Sequence, residues 1–251
     1  MKWINVIIVI FLKVCILTMC YSQKLYTYDS FNGIGKFKIL ASSVDVISEI
    51  EQELKTKRII VEDCSKPEFL MKNEKIYEMR YDTNGVIFSS QSLFELLYCN
   101  NVKIFYLPKY VVSGVTLDEL YLVYFNDTLI ELSVDAGSSL EFIDAIKLKY
   151  GSGQQSHLEV EIECGYELLG YNVTKSQQIF ISRWHVEDSD LESSYYLSED
   201  YNISDCEHSA YASFRLKSKS MMDNALACAK KSQEETEKEL LKNKLKSLDG
   251  F

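Results

Sequence analysis

The sequence lacks the short motifs that mark the commonest catalytic sites. It contains no Gly-x-Ser-x-Gly sequence, which holds the nucleophile of many hydrolases, and no His-Glu-x-x-His zinc-binding sequence. Gly33 and Gly35 are followed neither by a third glycine in frame nor by Gly-Lys-Ser/Thr, so they indicate a turn before a strand. Carboxylates are abundant, but a catalytic pair needs a geometry that sequence does not give. We therefore predict no catalytic residue and no cofactor, and keep a carboxylate-dependent secreted hydrolase as the alternative.

Basic residues are too few for a protein that binds nucleic acid. Lys and Arg number 27 against 37 Asp and Glu, which gives a net charge of −10. Loss of residues 1–22 as a signal peptide would leave 25 basic residues against the same 37 acidic ones, a net charge of −12. A polyphosphate would be repelled by such a chain. An acidic exported protein suits a basic partner, a cation or simply solubility.

The N-terminus is interrupted too early to form a good membrane-spanning helix. Val6–Leu12 is purely apolar, but Lys13 follows it, and a lysine inside a spanning helix costs roughly 2.5–3.5 kcal/mol. Residues 1–22 therefore resemble a bacterial export signal that is cleaved before Gln23. The alternative is a lipoprotein signal, in which Cys20 carries the lipid. We expect contact with a membrane only through the signal or through a lipid on Cys20.

The sequence has no Cys-x-x-Cys motif, which leaves thioredoxin-like chemistry and ribbon-type zinc sites unsupported. Five cysteines follow the signal: Cys64, Cys99, Cys164, Cys206 and Cys228. In an oxidising compartment they predict two disulfides and one odd thiol. Connectivity does not follow from sequence. We predict the pairs Cys64–Cys99 and Cys164–Cys206, because each pair falls within one half of the chain.

Residues 117–151 show the clearest pattern of secondary structure. Leu120–Phe125 is an apolar run of strand length, and Asn126-Asp127 supplies two residues that tolerate positive φ in a tight hairpin. The return strand, Leu129–Val134, alternates apolar and polar residues and is therefore predicted to be half exposed. A capped helix follows, and Gly151 is placed to end it.

Two helices with similar sequences, 42–54 and 138–150, divide the chain into halves. Each opens with two serines, has an acid at the capping-box position and carries apolar residues at helical spacing. Ser42 and Ser138 are the predicted caps. Amphipathic helices with serine caps look alike in any case, so a duplicated helix-and-strand unit is one of two explanations.

These patterns predict an α+β protein in which an antiparallel sheet, or sheets, are packed by one or two amphipathic helices. The predicted parts are a signal peptide (1–22), a first α+β half (23–136), a second α+β half packed on the first (137–218) and a charged C-terminal helix (219–251). If the helices mark a true repeat, the halves are helix-plus-sheet units in tandem. Residues 117–151 then form the joint, where a first sheet closes and a second begins.

Residues 187–207 contain no lysine or arginine. They hold eight acidic residues with tyrosines between them. Long loops in compact domains are often functional, and tyrosine beside acidic residues makes a stiff contact surface for a basic protein. We predict a loop here that binds a basic partner through Trp184, Asp188, Asp190, Tyr195, Tyr196 and Tyr201. The alternative is a solvated acidic loop tied down by Cys206.

The spacing of possible ligands matches no standard metal site. Asp188 and Asp190 lack the third ligand, the glycine and the distal glutamate of an EF-hand calcium loop. Cys206, His208 and His185 match no zinc spacing, and disulfide formation competes for the thiol. We therefore predict no metal site.

Export, acidity and the missing catalytic motifs together predict the class of function. We expect an exported bacterial envelope protein, periplasmic or secreted, that binds a protein or another basic partner without being an enzyme. The alternatives are the secreted hydrolase and a structural envelope lipoprotein. The sequence sets no oligomeric state.

Mass spectrometry of the mature protein tests the N-terminal prediction. We expect Gln23 to be the first residue, because the interrupted apolar segment is typical of a cleaved signal. A mature chain that starts at an acylated Cys20 would contradict this cleavage and favour the lipoprotein.

Overall fold

Eleven β-strands and three α-helices occur in the part of the chain that the computed structural model describes, residues 32–61, 75–80, 93–135, 140–166, 171–185, 189–201 and 206–248. The strands are β1 (Gly33–Ile34), β2 (Phe37–Lys38), β3 (Ile59–Val61), β4 (Tyr77–Met79), β5 (Val102–Val112), β6 (Val115–Phe125), β7 (Thr128–Asp135), β8 (Gln154–Tyr166), β9 (Tyr171–His185), β10 (Leu191–Tyr201) and β11 (His208–Ser218). The helices are α1 (Asp45–Glu53), α2 (Leu140–Tyr150) and α3 (Lys219–Leu248), with a 3-10 helix at Leu93–Tyr98. This is the α+β class that the sequence predicts.

Nine of the strands form one sheet in the order β3-β4-β5-β6-β7-β11-β10-β9-β8, and β1 pairs with β2 separately. All neighbours in the large sheet are antiparallel except β3 and β4. The chain forms β8 at the far edge and returns strand by strand, so β11 ends beside β7. Their ladder runs from Ser213↔Asp135 to Lys217↔Glu131. β3 to β7 of the first half and β8 to β11 of the second thus belong to one sheet, whereas a tandem repeat would start a second sheet at this joint.

The hairpin between β6 and β7 has the predicted two-residue turn. Asn126 and Asp127 both have positive φ, 50° and 61°, as the twist of a tight hairpin requires. The prediction that β7 is half exposed is wrong. The ladder with β6 shifts by one residue at Ile130, and this bulge turns Ile130 and Glu131 towards the same face, where both are fully buried.

The starts and ends of the helices agree only partly with the predicted caps. Ser42 does not cap α1: its Oγ donates to the Lys36 carbonyl (2.7 Å) and accepts from the Lys38 N–H (2.8 Å), which holds the β1–β2 turn. α2 ends as predicted, because Gly151 has φ +79° and donates its N–H to the Lys147 carbonyl at 2.9 Å. The predicted cap of α2, Ser138, lies outside the described residues.

One face of the large sheet is covered by α1 and α2. Ile47 and Ile50 of α1 and Phe142 of α2 are buried there against β5, β6, β7, β10 and β11. Phe142 meets Phe214 of β11 edge to face, with ring centroids 5.4 Å apart. Burial of one such side chain stabilises the fold by about 1.5–3 kcal/mol. The face that α1 and α2 cover forms the main core, and we call it the helix-covered face.

The opposite face is covered over the first half of the sheet by the 3-10 helix and the first part of α3. Ala225 and Ala229 of α3 are buried against Leu96 and against residues of β3 to β7. Small side chains on α3 allow the helix to lie close to the sheet. Further along, α3 is exposed as predicted for a charged helix, with Leu241 59% exposed.

Two disulfides link elements that are distant in sequence. Cys99 is bonded to Cys228, so the predicted pair Cys64–Cys99 is wrong, and Cys64 lies outside the described residues. The physical reason is that α3 crosses back over the first half and brings Cys228 to the end of the 3-10 helix. The second bond joins Cys164 to Cys206, the pair that the sequence analysis proposed.

Within the described ranges, no helix has the length and apolarity needed to cross a membrane.

Replacing a pair of cysteines by serine tests how much each disulfide contributes. Cys99 and Cys228 are 129 residues apart, and Cys164 and Cys206 are 42 apart. Loop-closure entropy predicts that the free energy of unfolding falls by about 5 kcal/mol for the first pair and about 4 kcal/mol for the second. Urea unfolding of the two double variants measures both losses. Wild-type stability of the first variant would contradict the cross-link between α3 and the sheet.

Candidate functional site

The described helices cover the sheet unevenly, and part of the face on the α3 side is left open. The buried cluster beneath α3 contains residues of β3 to β7 and none of those described in β8 to β11. We call the α3-side surface of β7, β11, β10 and β9 the open face. A groove with a volume of about 510 Å³ lies on it, next to the 3-10 helix.

The segment predicted as an acidic loop is mostly a strand. Within 187–207, Leu191–Tyr201 forms β10, which pairs with β9 on one side and β11 on the other. Serine, tyrosine and acidic residues fill most of this strand, so its sequence shows no clear alternation of apolar and polar residues. Because side chains alternate along a strand, Tyr195 and Tyr196 point to opposite faces of the sheet.

Two predicted binding residues are part of the core. Trp184 is 2% exposed, and its Nε1–H donates to the Gly151 carbonyl at 2.9 Å. Tyr195 is 4% exposed, and the Lys147 ammonium lies 5.8 Å from its ring centroid. Both side chains are buried in the cluster that α2 covers, and Trp184 is also among the residues that line a smaller cavity of about 270 Å³.

Asp190 holds the start of α3. Its Oδ1 accepts from the Ser220 N–H at 2.8 Å, its carbonyl accepts from the Lys219 N–H at 2.9 Å, and its carboxylate also bonds the hydroxyl of Ser218. Burial raises the pKa of Asp190, but these hydrogen bonds and the Lys219 charge outweigh it and leave the pKa lowered. Asp188 lies outside the described residues, and only the backbone of Tyr201 is described.

The groove is built from one row of paired residues across the sheet. Arg215 on β11 pairs with Ser133 on β7 and with Ser194 on β10, and Ser194 pairs with Arg183 on β9. Two small serines therefore flank the long Arg215 side chain and leave space above the sheet. Tyr121 lies next to Ser133 at the other end of the row.

Tyrosine rings form the walls of this groove. Tyr196, the predicted residue that does reach the groove, has its ring centroid 6.4 Å from that of Tyr211. Tyr211 is 51% exposed. Ser213 lies in the lining between these rings and Arg215, so the groove combines flat aromatic surfaces with hydroxyl groups.

A second cavity of about 270 Å³ continues the groove and shares Ser194 and Arg215 with it. Arg183 and Lys217 add two more cations to its lining, against one acid, Glu192. Glu192 is already engaged, because its carboxylate lies 3.5 Å from the Lys217 ammonium. Positive charge therefore gathers here in a chain whose net charge is −10.

Glu131 is a buried carboxylate behind Arg215. Its Oε1 lies 3.0 Å from Arg215 Nε, yet neither carboxylate oxygen accepts a hydrogen bond, so the contact is an ion pair without hydrogen-bond geometry. The Glu131 side chain is fully buried, whereas that of Arg215 is 54% exposed. Burial raises the pKa of Glu131, and the charges of Arg215 and Lys217 only partly oppose this effect.

A third cavity lies on the other face, between α2 and the strands β8 to β10, with a volume of about 550 Å³. Phe180 lines it and stacks on His157, with ring centroids 4.6 Å apart. Across the residues that the structure describes, no group of three His, Cys, Asp or Glu side chains is arranged to hold a metal ion.

No protein-family model, curated protein or solved structure matches this chain. The sequence analysis missed Arg215 and Ser213, although a signal for them exists. In β11, Tyr211, Ser213 and Arg215 alternate with the apolar residues Ala212 and Phe214, as expected for a strand with one polar face. The alternation alone does not show that this polar face is concave.

Glu131→Gln tests the buried charge, because it removes the charge and keeps the shape. The pKa of Glu131 in the folded protein is raised above its ordinary value of 4.5. Its contribution to the free energy of unfolding is therefore fully present below pH 4.5, and it is lost as the pH rises through the folded-state pKa. We expect the variant to be more stable than the wild type at pH 8, with the difference shrinking towards pH 4.

Thermal unfolding at both pH values measures this effect. Glu235→Gln on the exposed part of α3 is the matched control, and it should show no such trend. A Glu131→Gln variant that is less stable than the wild type at pH 8 would contradict a raised pKa.

Proposed function

We propose that this protein is an exported, non-enzymatic binding protein that holds a protein partner on the open face of its sheet. The observation that carries the proposal is the groove itself, a concave surface on strands that α1, α2 and α3 leave open in the part of the chain that the structure describes. Binding sites built on strands hold their side chains more firmly than sites on loops.

The composition of the groove supports a protein partner. Its lining includes tyrosine, serine and arginine (Tyr121, Ser133, Ser194, Tyr196, Tyr211, Ser213 and Arg215), beside four apolar residues and one acid (Leu93, Phe94, Val134, Phe214 and Glu119). Tyrosine gives a large contact area at a low cost in conformational entropy, serine gives adaptable hydrogen bonds, and arginine and tyrosine are enriched among residues that dominate binding energy. Antibody paratopes use the same combination.

The disulfides support export. Cys99–Cys228 and Cys164–Cys206 join distant parts of the fold. Such bonds persist in oxidising compartments and are rare where thiols are kept reduced. Together with the signal predicted for residues 1–22, they favour a periplasmic or secreted protein.

The arrangement of acids argues for binding and against hydrolysis. A carboxylate-dependent hydrolase needs two acids that converge on one substrate. The acids in the lining of the groove and its extension are Glu119 on β6 and Glu192 on β10, which β7 and β11 separate, so they do not converge. Glu192 is engaged by Lys217, and Glu131 is buried behind Arg215. No histidine or cysteine is among the lining residues of these two cavities.

We also propose a contact surface that does not depend on the acidic residues of 187–207. Three acids there have described side chains: Asp190 caps α3, Glu192 forms ion pairs with Lys217 and Lys219, and Glu207 is exposed. The first two carboxylates are occupied within the protein. We therefore place recognition in the groove, to which this segment contributes Ser194 and Tyr196.

Photo-crosslinking in the cells that make the protein tests this proposal. A benzophenone amino acid replaces Tyr211 at the groove, or Glu235 on the exposed part of α3 as the control. We expect a discrete protein adduct from position 211 only, because a partner in the groove lies against that ring. Ser213→Trp in the same chain should suppress the adduct by filling the groove.

Equal adducts from both positions would contradict a groove-specific partner, as would the absence of any adduct from position 211. Circular dichroism of each variant shows whether the fold is retained. The readout depends on contact and not on the charge of the partner.

A further inference from the structure

We propose that the groove binds an acidic segment of its protein partner, and that the guanidinium of Arg215 holds an Asp or Glu carboxylate of that segment. The inference rests on the proposed function, which makes the groove the binding surface. The overall charge of the chain suggests a basic partner, whereas this inference predicts an acidic one. It depends on how the residues behind and beside Arg215 are arranged.

Glu131 fixes the position of Arg215. The contact at 3.0 Å is made by Nε, one of the donors of the guanidinium. The two Nη groups carry the remaining N–H donors, and their planar fork matches the two oxygens of a carboxylate. The Glu131 side chain is fully buried, whereas that of Arg215 is 54% exposed. A partner can therefore reach the guanidinium but not the Glu131 carboxylate. Arg215 is thus a positioned cation at the floor of an open groove.

The neighbouring residues leave room for a peptide over this cation. Ser133 and Ser194 lie in register on the two sides of Arg215, on strands about 4.8 Å away. Neither side chain is large enough to cover the guanidinium. Tyr196 and Tyr211 stand further along the groove, where their rings offer contact area to the residues that flank the carboxylate.

The local charge favours an anion although the chain as a whole is acidic. Arg183, Arg215 and Lys217 line the extension of the groove, and Glu192 is the acid that opposes them there. At physiological ionic strength the Debye length is about 8 Å, so exposed acids further away are largely screened. Glu131 and Glu192 oppose two of these three cations, and Glu119, which lines the groove on β6, lies two strands from Arg215. A carboxylate in contact with Arg215 therefore meets an excess of one positive charge.

A bead-displayed library of random heptapeptides, incubated with the purified full-length protein, tests the inference. We expect the retained peptides to be enriched in Asp and Glu. Replacing the selected acid by Gln in a fluorescein-labelled peptide should weaken binding about 10- to 100-fold, the usual loss for a hydrogen-bonded charged group.

Variants of the protein assign the effect to Arg215. Arg215→Gln should weaken binding of the acidic peptide about 10- to 100-fold, whereas Lys238→Gln removes the same charge from the exposed part of α3 and should leave affinity unchanged. Arg215→Gln alone leaves the buried Glu131 without its ion pair, which destabilises the fold. The double variant E131Q/R215Q avoids this, and it should bind as weakly as Arg215→Gln.

Several outcomes would overturn the inference. They are enrichment of basic or neutral peptides, equal affinity of the acidic and the Gln peptides, or unchanged affinity of E131Q/R215Q. Retention of a sulfated oligosaccharide such as heparin, with no peptide enriched, would assign the groove to a glycan instead. The crosslink at position 211 does not depend on any of these results. It shows separately whether the groove binds a partner at all.

Discussion

The antiparallel ladder between β7 and β11 is the contact on which the rest of the structure depends. It joins the two halves into one sheet and sets Arg215 beside Ser133. It also ends β11 where α3 begins, so that α3 crosses over the first half and Cys228 reaches Cys99. A slip of one residue would turn Arg215 into the helix-covered face and expose Phe214, so burial of the apolar face holds this register.

The uneven cover of the sheet follows from this topology. α1 and α2 pack on one face, whereas the buried cluster beneath α3 on the other face contains, among the described residues, those of β3 to β7. A β-bulge at Ile130 then directs Glu131 into the interior, where Arg215 is its nearest counter-charge. A buried pair of this kind contributes little to stability, since the cost of desolvating two charges opposes their attraction. Its effect is to hold one cation in place on an otherwise open surface.

Local sequence predicted local structure well and distant contacts poorly. The Asn126-Asp127 turn and the stop of α2 at Gly151 depend on φ preferences of single residues, so the sequence is sufficient. The cap at Ser42 was wrong because the β1–β2 turn, four to six residues earlier in the chain, competes for the same hydroxyl. β10 was mistaken for a loop, because its polar residues are stabilised by strands on both sides that the local pattern does not reveal.

By itself the sequence determined the α+β class, the hairpin, the acidic balance and the number of cysteines available for bonding, since each depends on residue type and short-range spacing. Only the tertiary structure decided that Cys99 pairs with Cys228, that Asp190 caps α3 and that Arg215 lies over a buried Glu131. These contacts join residues that are 30 to 129 positions apart. Their geometry is set by the order of strands in the sheet, which no local pattern contains.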